Sequence, residues 1–494
     1  MQTSRIFVIL TSLTLFLLCT PMIVEAGSFG KGDPYGPVGE WYIGEDPISP
    51  NDKPPVLFVH GYNSSSLTWW EDNDMYDLFR DAGYQTAFIN LHPDKDMWKN
   101  GEILSDKLEE IYQHFGEELM VIAHSKGGLD TQTALVHFDA EPYISRVVTL
   151  SSPHHGSELA DLAHSNWASW LTGIIGARSE ATESLQTGAM SQFRTQTDSL
   201  AQEIDIPFYT ISGNDPGSFS SALYWGRMYL NSYGENDGSV TVNHSKLSYA
   251  YESTSGPWNH TEVKTGEFTY PFVEPLLRAE ASYHNHEKQG IPYETGSIIR
   301  GGEFEEQVET VFNIEPNVDT ASVHFLAPKQ LENAQLIAPD GKEYTLGDIH
   351  QEEENAVFEG AWTHSIEVEN PPKGEWTINV EGEPQDETIP YMLVVGLEGG
   401  VSGDVKMSSN SADILLDENT LDHNKTSYTI HMDDVLVVKD SSQASLQSRS
   451  LPYDQEGAYT ITVDVSGETS DQSTFERTFI YNIYIDKNGN KLTQ

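Results

Sequence analysis

Two patterns of hydrophobic residues divide the chain. Between about residues 54 and 285, short continuous apolar runs alternate with amphipathic stretches such as 102–115. Continuous apolar runs are typical of parallel strands that helices cover on both faces. We therefore predict an α/β domain with a mostly parallel sheet over 54–285. The clearest predicted strands are 56–59, 119–123, 147–150 and 208–211.

From about residue 290 the pattern changes to short runs in which apolar and polar residues often alternate. Turn signals such as the Pro-Asp-Gly sequence at 339–341 separate these runs, which favours antiparallel β-sandwiches. We predict one or two such all-β domains, 290–398 and 399–494. Residues 27–53, which are rich in Gly, Pro and Asp, are predicted to form an extended lead-in segment.

The first 26 residues have the pattern of a secretory signal peptide. Arg5 precedes an apolar stretch over 6–18, and small residues near 24–26 provide a cleavage site. The apolar stretch is too short to span a bilayer comfortably, so we expect a secreted mature chain without an integral membrane segment. The single cysteine, Cys19, lies in this segment, and the mature chain is therefore predicted to contain no disulfide.

The charge balance is strongly acidic, with 27 Lys and Arg against 76 Asp and Glu and a formal net charge of −49. Such a surface is unsuited to nucleic acid phosphates and to anionic membranes. The negative charge is spread along the chain and is not confined to an acidic tail. Residues 281–494 contain 39 acidic and 12 basic residues, and the other charged residues lie in 1–280. The acidic groups of the folded protein repel one another. About 1 M salt shortens the Debye length to about 3 Å and so screens this repulsion. We therefore expect a higher melting temperature in molar NaCl than in dilute buffer.

Residues 123–128, with the sequence AHSKGG, form the strongest chemical motif. They stand between a predicted buried strand and a predicted helix, which is the context of a nucleophile elbow. Ser125 is then the predicted nucleophile, and the small residues two positions before and after it permit the tight turn. The backbone amides of Lys126 and of Tyr62, in the loop after the first strand, are the predicted oxyanion hole.

A serine nucleophile needs an imidazole to accept its proton and a carboxylate to orient that imidazole. The expected chain order after the elbow is Asp and then His. Asp237, in a Gly-flanked loop, and His260 are the predicted pair. The alternatives are Asp215 for the acid and, for the base, the neighbouring histidines His244 and His284.

At these residues the sequence resembles the secreted bacterial triacylglycerol lipases of the α/β-hydrolase fold. The matching strings are VHGY at 59–62, AHSKGG at 123–128, SPHHGSELAD at 152–161, NDG at 236–238 and NH at 259–260. The resemblance covers about 54–278. It implies an ester or lipid substrate, the same Ser125–Asp237–His260 triad, and no cofactor for catalysis.

The resemblance also implies a structural calcium ion near the catalytic histidine. The corresponding carboxylates are Asp215 and Glu262, which are oxygen ligands of the kind calcium prefers. Glu262 departs from the family pattern, in which that ligand is Asp. Unchanged thermal stability in excess chelator would contradict this expectation.

Residues 158–200 correspond to the lid of such lipases. Trp167, Trp170, Leu171 and Ile174 are predicted to share one helical face, which either packs in the core or covers Ser125. A lid predicts a sharp rise in activity when the substrate forms droplets or micelles.

The sequence hypothesis is an extracellular serine carboxylester hydrolase that acts as a lipase. A polyester depolymerase and a short-chain esterase are alternatives, as is a surface-binding protein with an inactive hydrolase domain. The C-terminal β domains are predicted to serve in binding or stability, with an unidentified polymer or surface as the partner. Their aromatic residues Trp362, Trp376 and Tyr391 either bind such a partner or belong to the core.

Overall fold

The structure is a computed structural model. It describes residues 27–28, 36–49, 52–217, 223–278, 295–351, 357–382, 388–401, 403–407, 412–416, 426–432, 435–439 and 455–492. We call 27–278 the N-terminal domain and 295–492 the C-terminal β region. The predicted signal peptide and the alternative base His284 lie outside the described residues.

The N-terminal domain is built on a mixed sheet whose described strands lie in the order β1-β2-β4-β3-β5-β6-β7-β8. Strands β3 to β8 are all parallel to one another, and β2 pairs antiparallel with β4. This confirms the predicted α/β class. The strands are β1 (Gly27–Ser28), β2 (Trp41–Ile43), β3 (Val56–Val59), β4 (Thr86–Ile89), β5 (Leu119–His124), β6 (Ile144–Leu150), β7 (Phe208–Gly213) and β8 (Glu252–Gly256).

Helices cover both faces of this sheet, which explains why its strands are apolar throughout. Successive residues of β3 enter opposite cores: Val56 and Phe58 pack beneath α1 and α9, whereas Leu57 and Val59 pack beneath α2 and α3. The helices are α1 (Met75–Asp81), α2 (Met97–Phe115), α3 (Lys126–His137), α4 (Glu158–Ala163), α5 (Ser169–Ile175), α6 (Glu180–Ser184), α7 (Thr187–Ala201), α8 (Tyr224–Leu230) and α9 (Gly266–Arg278).

The helix predicted over 102–115 begins five residues earlier than the hydrophobic pattern indicates. The side chain of Asp96 accepts a hydrogen bond from the amide of Lys99 and caps the first turn. The helix ends at Gly116, whose φ of 74° is in the left-handed region that favours glycine.

The C-terminal β region contains only strands in its described residues, as predicted for an all-β segment. Two sheets, β10-β16-β12-β13 and β14-β15-β11-β17-β9, enclose one apolar core. A third sheet has the order β21-β20-β22-β23-β24, and β18 pairs with β19. The strands are β9 (Thr295–Phe304), β10 (Gln307–Ile314), β11 (Val318–Ala327), β12 (Asn333–Ile337), β13 (Glu343–Thr345), β14 (Asp348–Gln351), β15 (Trp362–Glu369), β16 (Gly374–Glu381), β17 (Ile389–Gly399), β18 (Gly403–Met407), β19 (Ala412–Leu416), β20 (Ser427–Met432), β21 (Val435–Lys439), β22 (Gly457–Glu468), β23 (Thr474–Ile485) and β24 (Lys491–Leu492).

Two of the three aromatic residues considered for polymer binding lie in this apolar core. Trp376 is fully buried and donates a hydrogen bond from Nε1 to the carbonyl of Pro372. Tyr391 is buried and stacks on Phe325 with ring centroids 5.0 Å apart. Both side chains are therefore structural, and only Trp362 is partly exposed.

A buried ion pair joins the third sheet to the first two. The guanidinium of Arg477 on β23 binds the carboxylate of Glu315, and both side chains are 1% exposed. Arg477 also donates to the carbonyl of Val401 at 2.8 Å. Removal of either partner would leave a buried charge unpaired, so this contact fixes how the sheets associate.

The C-terminal β region packs against the helices of the N-terminal domain that follow β6. The shared apolar cluster consists of Leu159, Leu162, Ala163, Ala168, Leu171, Trp225, Tyr229 and Leu230 from the N-terminal domain and Ile299, Leu326, Val357, Phe358, Ala361, Met392, Val394 and Ile480 from the C-terminal β region. The approach is closest at Gly301, where an added Cβ would lie 1.8 Å from the carbonyl oxygen of Trp167.

The prediction of one helical stripe in segment 158–200 is wrong. The segment contains the helices α4 to α7, and Trp167 lies before α5, so it shares no helical face with Trp170 and Leu171. Leu171 is fully buried, but Trp170 is 50% exposed. The stripe fails because the spacing of apolar residues assumes that Trp167 is helical, whereas residues 164–168, between α4 and α5, are not.

Candidate active site

The predicted nucleophile Ser125 lies in the turn between β5 and α3. Its φ of 51° and ψ of −131° place it in a strained backbone conformation, as a nucleophile elbow requires. The amide of Ser125 donates to the carbonyl of Leu150 at 2.8 Å, which ties the turn to the neighbouring strand β6. The side chain is only 6% exposed.

The residues around the serine must be small for two reasons. The turn is tight, and atoms of the neighbouring loop lie too close to leave room for a larger side chain. A Cβ on Gly127 would lie 2.3 Å from the carbonyl oxygen of His60, and one on Gly61 would lie 2.8 Å from Cβ of Ser125. The loop after β3 therefore packs directly against the elbow. A larger residue at either position would push the two loops apart.

The structure brings Ser125, His260 and Asp237 together in one chain of hydrogen bonds. His260 Nε2 lies 3.1 Å from Ser125 Oγ, and His260 Nδ1 lies 2.7 Å from Asp237 Oδ2. Because a carboxylate only accepts hydrogen bonds, Nδ1 carries the proton and the lone pair of Nε2 faces the serine. The three residues come from loops at the carboxyl ends of the parallel strands, where α/β sheets carry their sites.

Backbone amides hold the carboxylate of Asp237 in place. Its Oδ1 accepts hydrogen bonds from the amides of Ser239 at 2.9 Å and Val240 at 2.8 Å. The amide of His260 in turn donates to the carbonyl of Asp237 at 3.0 Å. Asp237 is fully buried, so these bonds replace the water that would otherwise stabilise its charge.

The two predicted oxyanion donors lie on either side of the nucleophile. Lys126 is the first residue of α3, and its amide therefore has no partner within the helix. Tyr62 directly follows Gly61, whose backbone contacts Ser125. Both amides belong to the turns that meet at Ser125, where the oxyanion of an acyl-transfer intermediate would form.

The alternative acid and base lie elsewhere. Asp215 Oδ1 accepts a hydrogen bond from the amide of Gly217 rather than from a histidine. His244 donates from Nδ1 to the carbonyl of Gly156 at 3.1 Å, and this nitrogen also lies 3.3 Å from Glu158 Oε1. Neither residue contacts the serine, whereas Asp237 and His260 complete the hydrogen-bonded chain.

The carboxylates implied as calcium ligands are each bound to backbone amides of their own loops. Glu262 Oε2 accepts from the amide of Asn259 at 2.9 Å, and Asp215 Oδ1 accepts from Gly217. Among the described residues, no group of three or more His, Cys, Asp and Glu side chains is arranged to hold a metal. The calcium ion at Asp215 and Glu262 therefore stays a prediction, and no step of the chemistry below depends on it.

His60 supports the oxyanion loop, a role that the sequence did not reveal. Its Nε2 accepts a hydrogen bond from the amide of Leu91 at 2.9 Å, so Nδ1 carries the proton and donates to the carbonyl of Gly61. Burial lowers the pKa of His60 to about 4, which keeps the ring neutral. A histidine directly before the Gly-Tyr sequence was the only available signal.

The side chain of Lys126 is directed into the protein and is 1% exposed. Its ammonium group forms a buried ion pair with Asp130 at 2.7 Å, one turn later on α3. Asn100 on α2 donates to the second oxygen of that carboxylate at 2.9 Å. This network fastens the elbow helix to α2 and so fixes the first turn of α3.

Glu158, at the start of α4, is a buried carboxyl that is not part of the triad. Its Oε2 has no hydrogen-bond partner among the described residues, and burial raises its pKa to about 8. The titratable groups that face it are His244 from the loop after Asp237, Asp161 on its own helix, and Tyr229 and Tyr233 on and after α8.

Folding stability is therefore expected to fall as the pH rises. Between about pH 4, where a glutamate of the unfolded chain ionises, and about pH 8, the folded protein keeps a proton on Glu158 that the unfolded chain has lost. Glu158→Gln removes this dependence while keeping the shape of the side chain. At pH 9 we expect the variant to melt about 3 °C or more above wild type, and the gap to shrink towards pH 5. Glu267→Gln on the exposed face of α9 is the matched control, and equal melting curves for all three proteins would contradict the assignment.

The comparison with solved structures identifies the family. The structure of Bacillus licheniformis lipase BlEst2 in propeptide form covers 93% of this chain and 100% of its own, at 36% sequence identity and a TM-score of 0.79. This chain belongs to the lipase/esterase family of BlEst2. It is an α/β-hydrolase and a carboxylic ester hydrolase, as the resemblance implied.

Two further structures are similar over about half of this α/β-hydrolase chain. BlEst2 in mature form is 48% identical, covers 49% of this chain and 99% of its own, and has a TM-score of 0.47. The metagenomic carboxyl esterase MGS0156 is 18% identical, covers 47% of this chain and 70% of its own, and has a TM-score of 0.36. No model of a known protein family and no curated protein matched the sequence.

Proposed function

We propose that this lipase/esterase is a secreted serine hydrolase that cleaves acylglycerol esters through an acyl-enzyme intermediate. The observation that carries the proposal is the continuous hydrogen-bonded chain from Asp237 through His260 to Ser125. Family membership as an ester hydrolase leaves no support for an inactive surface-binding domain. No helix in the described residues is long and apolar enough to cross a membrane.

In the first half of the reaction, Ser125 Oγ attacks the ester carbonyl carbon while His260 Nε2 accepts its proton. The imidazolium that forms is stabilised by Asp237, whose carboxylate accepts a hydrogen bond from Nδ1–H. The amides of Tyr62 and Lys126 donate to the oxyanion. His260 then returns the proton to the alkoxide oxygen, and the alcohol leaves.

In the second half, water attacks the acyl group on Ser125. His260 accepts a proton from that water, and collapse of the intermediate returns the proton to Ser125 Oγ and releases the carboxylic acid. Each proton moves through Nε2, so the tautomer set by Asp237 serves both halves.

A series of p-nitrophenyl esters with acyl chains of 2 to 16 carbons tests the substrate class. A lipase is expected to have its highest kcat/KM at medium or long chains and to be more active above the concentration at which the ester forms micelles. A maximum at two to four carbons, with a hyperbolic response through that concentration, would favour the short-chain esterase and contradict the lipase proposal. Release of soluble acids from a polyester film would favour the depolymerase.

We also propose that the C-terminal β region covers the active site, as a propeptide would. BlEst2 was solved in a propeptide form that aligns along nearly this entire chain. Here the region packs on α4, α5 and α8, and Ser125, His260 and Asp237 are all less than 10% exposed. The low exposure of Ser125 supports the proposal, because an ester substrate must reach Ser125 Oγ from outside.

The segment 357–361 of the C-terminal β region contacts the oxyanion loop. Asn63, next to Tyr62, donates from Nδ2 to Glu359 Oε2 at 2.5 Å. Phe358 is fully buried and packs edge-on against Trp225 of α8, with ring centroids 4.9 Å apart. This turn therefore contacts both the loop that carries Tyr62 and helix α8.

Within the described residues, six hydrogen-bond donors of the N-terminal domain bind acceptors of the C-terminal β region. Three of the acceptors are carboxylates, so part of the negative charge of the C-terminal β region serves to bind the N-terminal domain. The pairs are Asn63 with Glu359, Trp167 with Asp464, Gln186 with Thr460, the amide of Gly188 with Asn482, Tyr224 with Glu367, and Tyr233 with the carbonyl of Ile480.

A further inference from the structure

His124, the last residue of β5, stands directly before the nucleophile and contacts the loop of the general base. Its ring is buried, and Nε2 lies 2.9 Å from the carbonyl oxygen of His260. Since a carbonyl oxygen only accepts, Nε2 carries the proton and donates it. One side chain therefore connects the strand that bears Ser125 to the backbone of His260.

The backbone of His260 is consequently held from both sides. Its amide donates to the carbonyl of Asp237 at 3.0 Å, and its carbonyl accepts from His124. The rings of His124 and His260 lie 4.8 Å apart at an angle of 50°. With these two bonds in place, the ring of His260 can meet Ser125 Oγ only over a narrow range of positions.

The second ring nitrogen of His124, Nδ1, does not explain why a histidine occupies this position. Nδ1 is buried and has no hydrogen-bond partner among the described residues. It faces Gly61, where an added Cβ would lie 3.4 Å away. A buried nitrogen without a partner costs folding stability, and an apolar ring of similar size would avoid that cost. The donor on Nε2 is thus the feature that an apolar residue could not replace.

We propose that His124 is a positioning residue that sets the distance between the general base and the nucleophile. It donates to the carbonyl of His260 and holds that residue against the elbow that carries Ser125. The proposal rests on the proposed serine mechanism. It assigns His124 no contact with the substrate and no proton transfer.

Two substitutions separate this role from simple packing. His124→Phe keeps a planar ring and removes the donor, whereas His124→Gln places an amide nitrogen near the position of Nε2. For His124→Phe we expect kcat to fall about 10- to 100-fold with KM within about twofold, because loss of alignment affects the reaction more than binding. We expect its melting temperature to stay close to that of wild type, because removal of the unpartnered Nδ1 offsets the lost bond to His260. We expect His124→Gln to recover most of kcat.

Equal kcat values for His124→Phe, His124→Gln and wild type would overturn the proposal. So would a loss of kcat that merely follows a loss of melting temperature across the two variants. Ser125→Ala, assayed in parallel, separates a failure of the serine mechanism from a failure of the positioning role of His124. An active Ser125→Ala protein would refute the serine mechanism itself, whereas an inactive one with fully active His124 variants would refute only the positioning role.

Discussion

Cutting the chain between Arg278 and Thr295 and separating the two parts is expected to raise kcat/KM for p-nitrophenyl esters about 10- to 100-fold. An enzyme whose open state is populated at about 1–10% gains this factor when the closed state is removed. A protease site inserted between these residues allows the folded full-length protein to be cut after purification. The uncut protein, with the same insertion, is the reference.

The cut parts will remain associated through the apolar cluster until they are diluted, so the rate should depend on protein concentration. Gly301→Val should shift this dependence to higher concentration, because a Cβ there would lie 1.8 Å from the carbonyl oxygen of Trp167. Valine is otherwise well suited to a β-strand. Gly347→Val, at a glycine whose nearest contact would be 3.8 Å away, is the matched control. Equal rates for uncut protein and the isolated N-terminal domain would show that the C-terminal β region does not limit access.

Ser125→Ala is expected to lower kcat by about 10⁵-fold or more, to a residual rate supplied by binding and the oxyanion donors. The loss follows because no other hydroxyl is hydrogen-bonded to His260 Nε2 in the described structure. Ser152→Ala is the matched control, since Ser152 is also buried near the carboxyl ends of the strands and its Oγ has no hydrogen-bond partner among the described residues. We expect the control to keep its activity. Comparable rates for both variants would refute Ser125 as the nucleophile.

The sequence was sufficient to predict the α/β core because its strands are buried on both faces. Runs such as 56–59 and 119–123 contain no polar residue, and a helical pattern follows the second. Strand β4, at Thr86–Ile89, was not predicted because it begins with a threonine and has no long apolar run. The triad followed from the elbow motif and chain order, which constrain residue type and sequence position.

Other features depend on contacts that no local pattern encodes. The bond from His124 to His260 joins residues 136 positions apart and appears only when β5 and the loop after β8 meet. The burial of Glu158 likewise depends on neighbours from several elements. The contacts behind the proposed covering of Ser125 could not be predicted because Phe358 and Glu359 lie in a turn with no motif, and their partners are in another domain.

Labelling with a p-nitrophenyl alkylphosphonate, followed by intact-mass and peptide mass spectrometry, tests the central claim most directly. The claim is that Ser125 is the nucleophile and that the C-terminal β region covers it. We predict one adduct per chain, located on Ser125, which forms at least about tenfold faster in the separated N-terminal domain than in the uncut protein. An adduct on another residue would contradict the assignment of Ser125, and equal labelling rates in the two forms would contradict the covered active site.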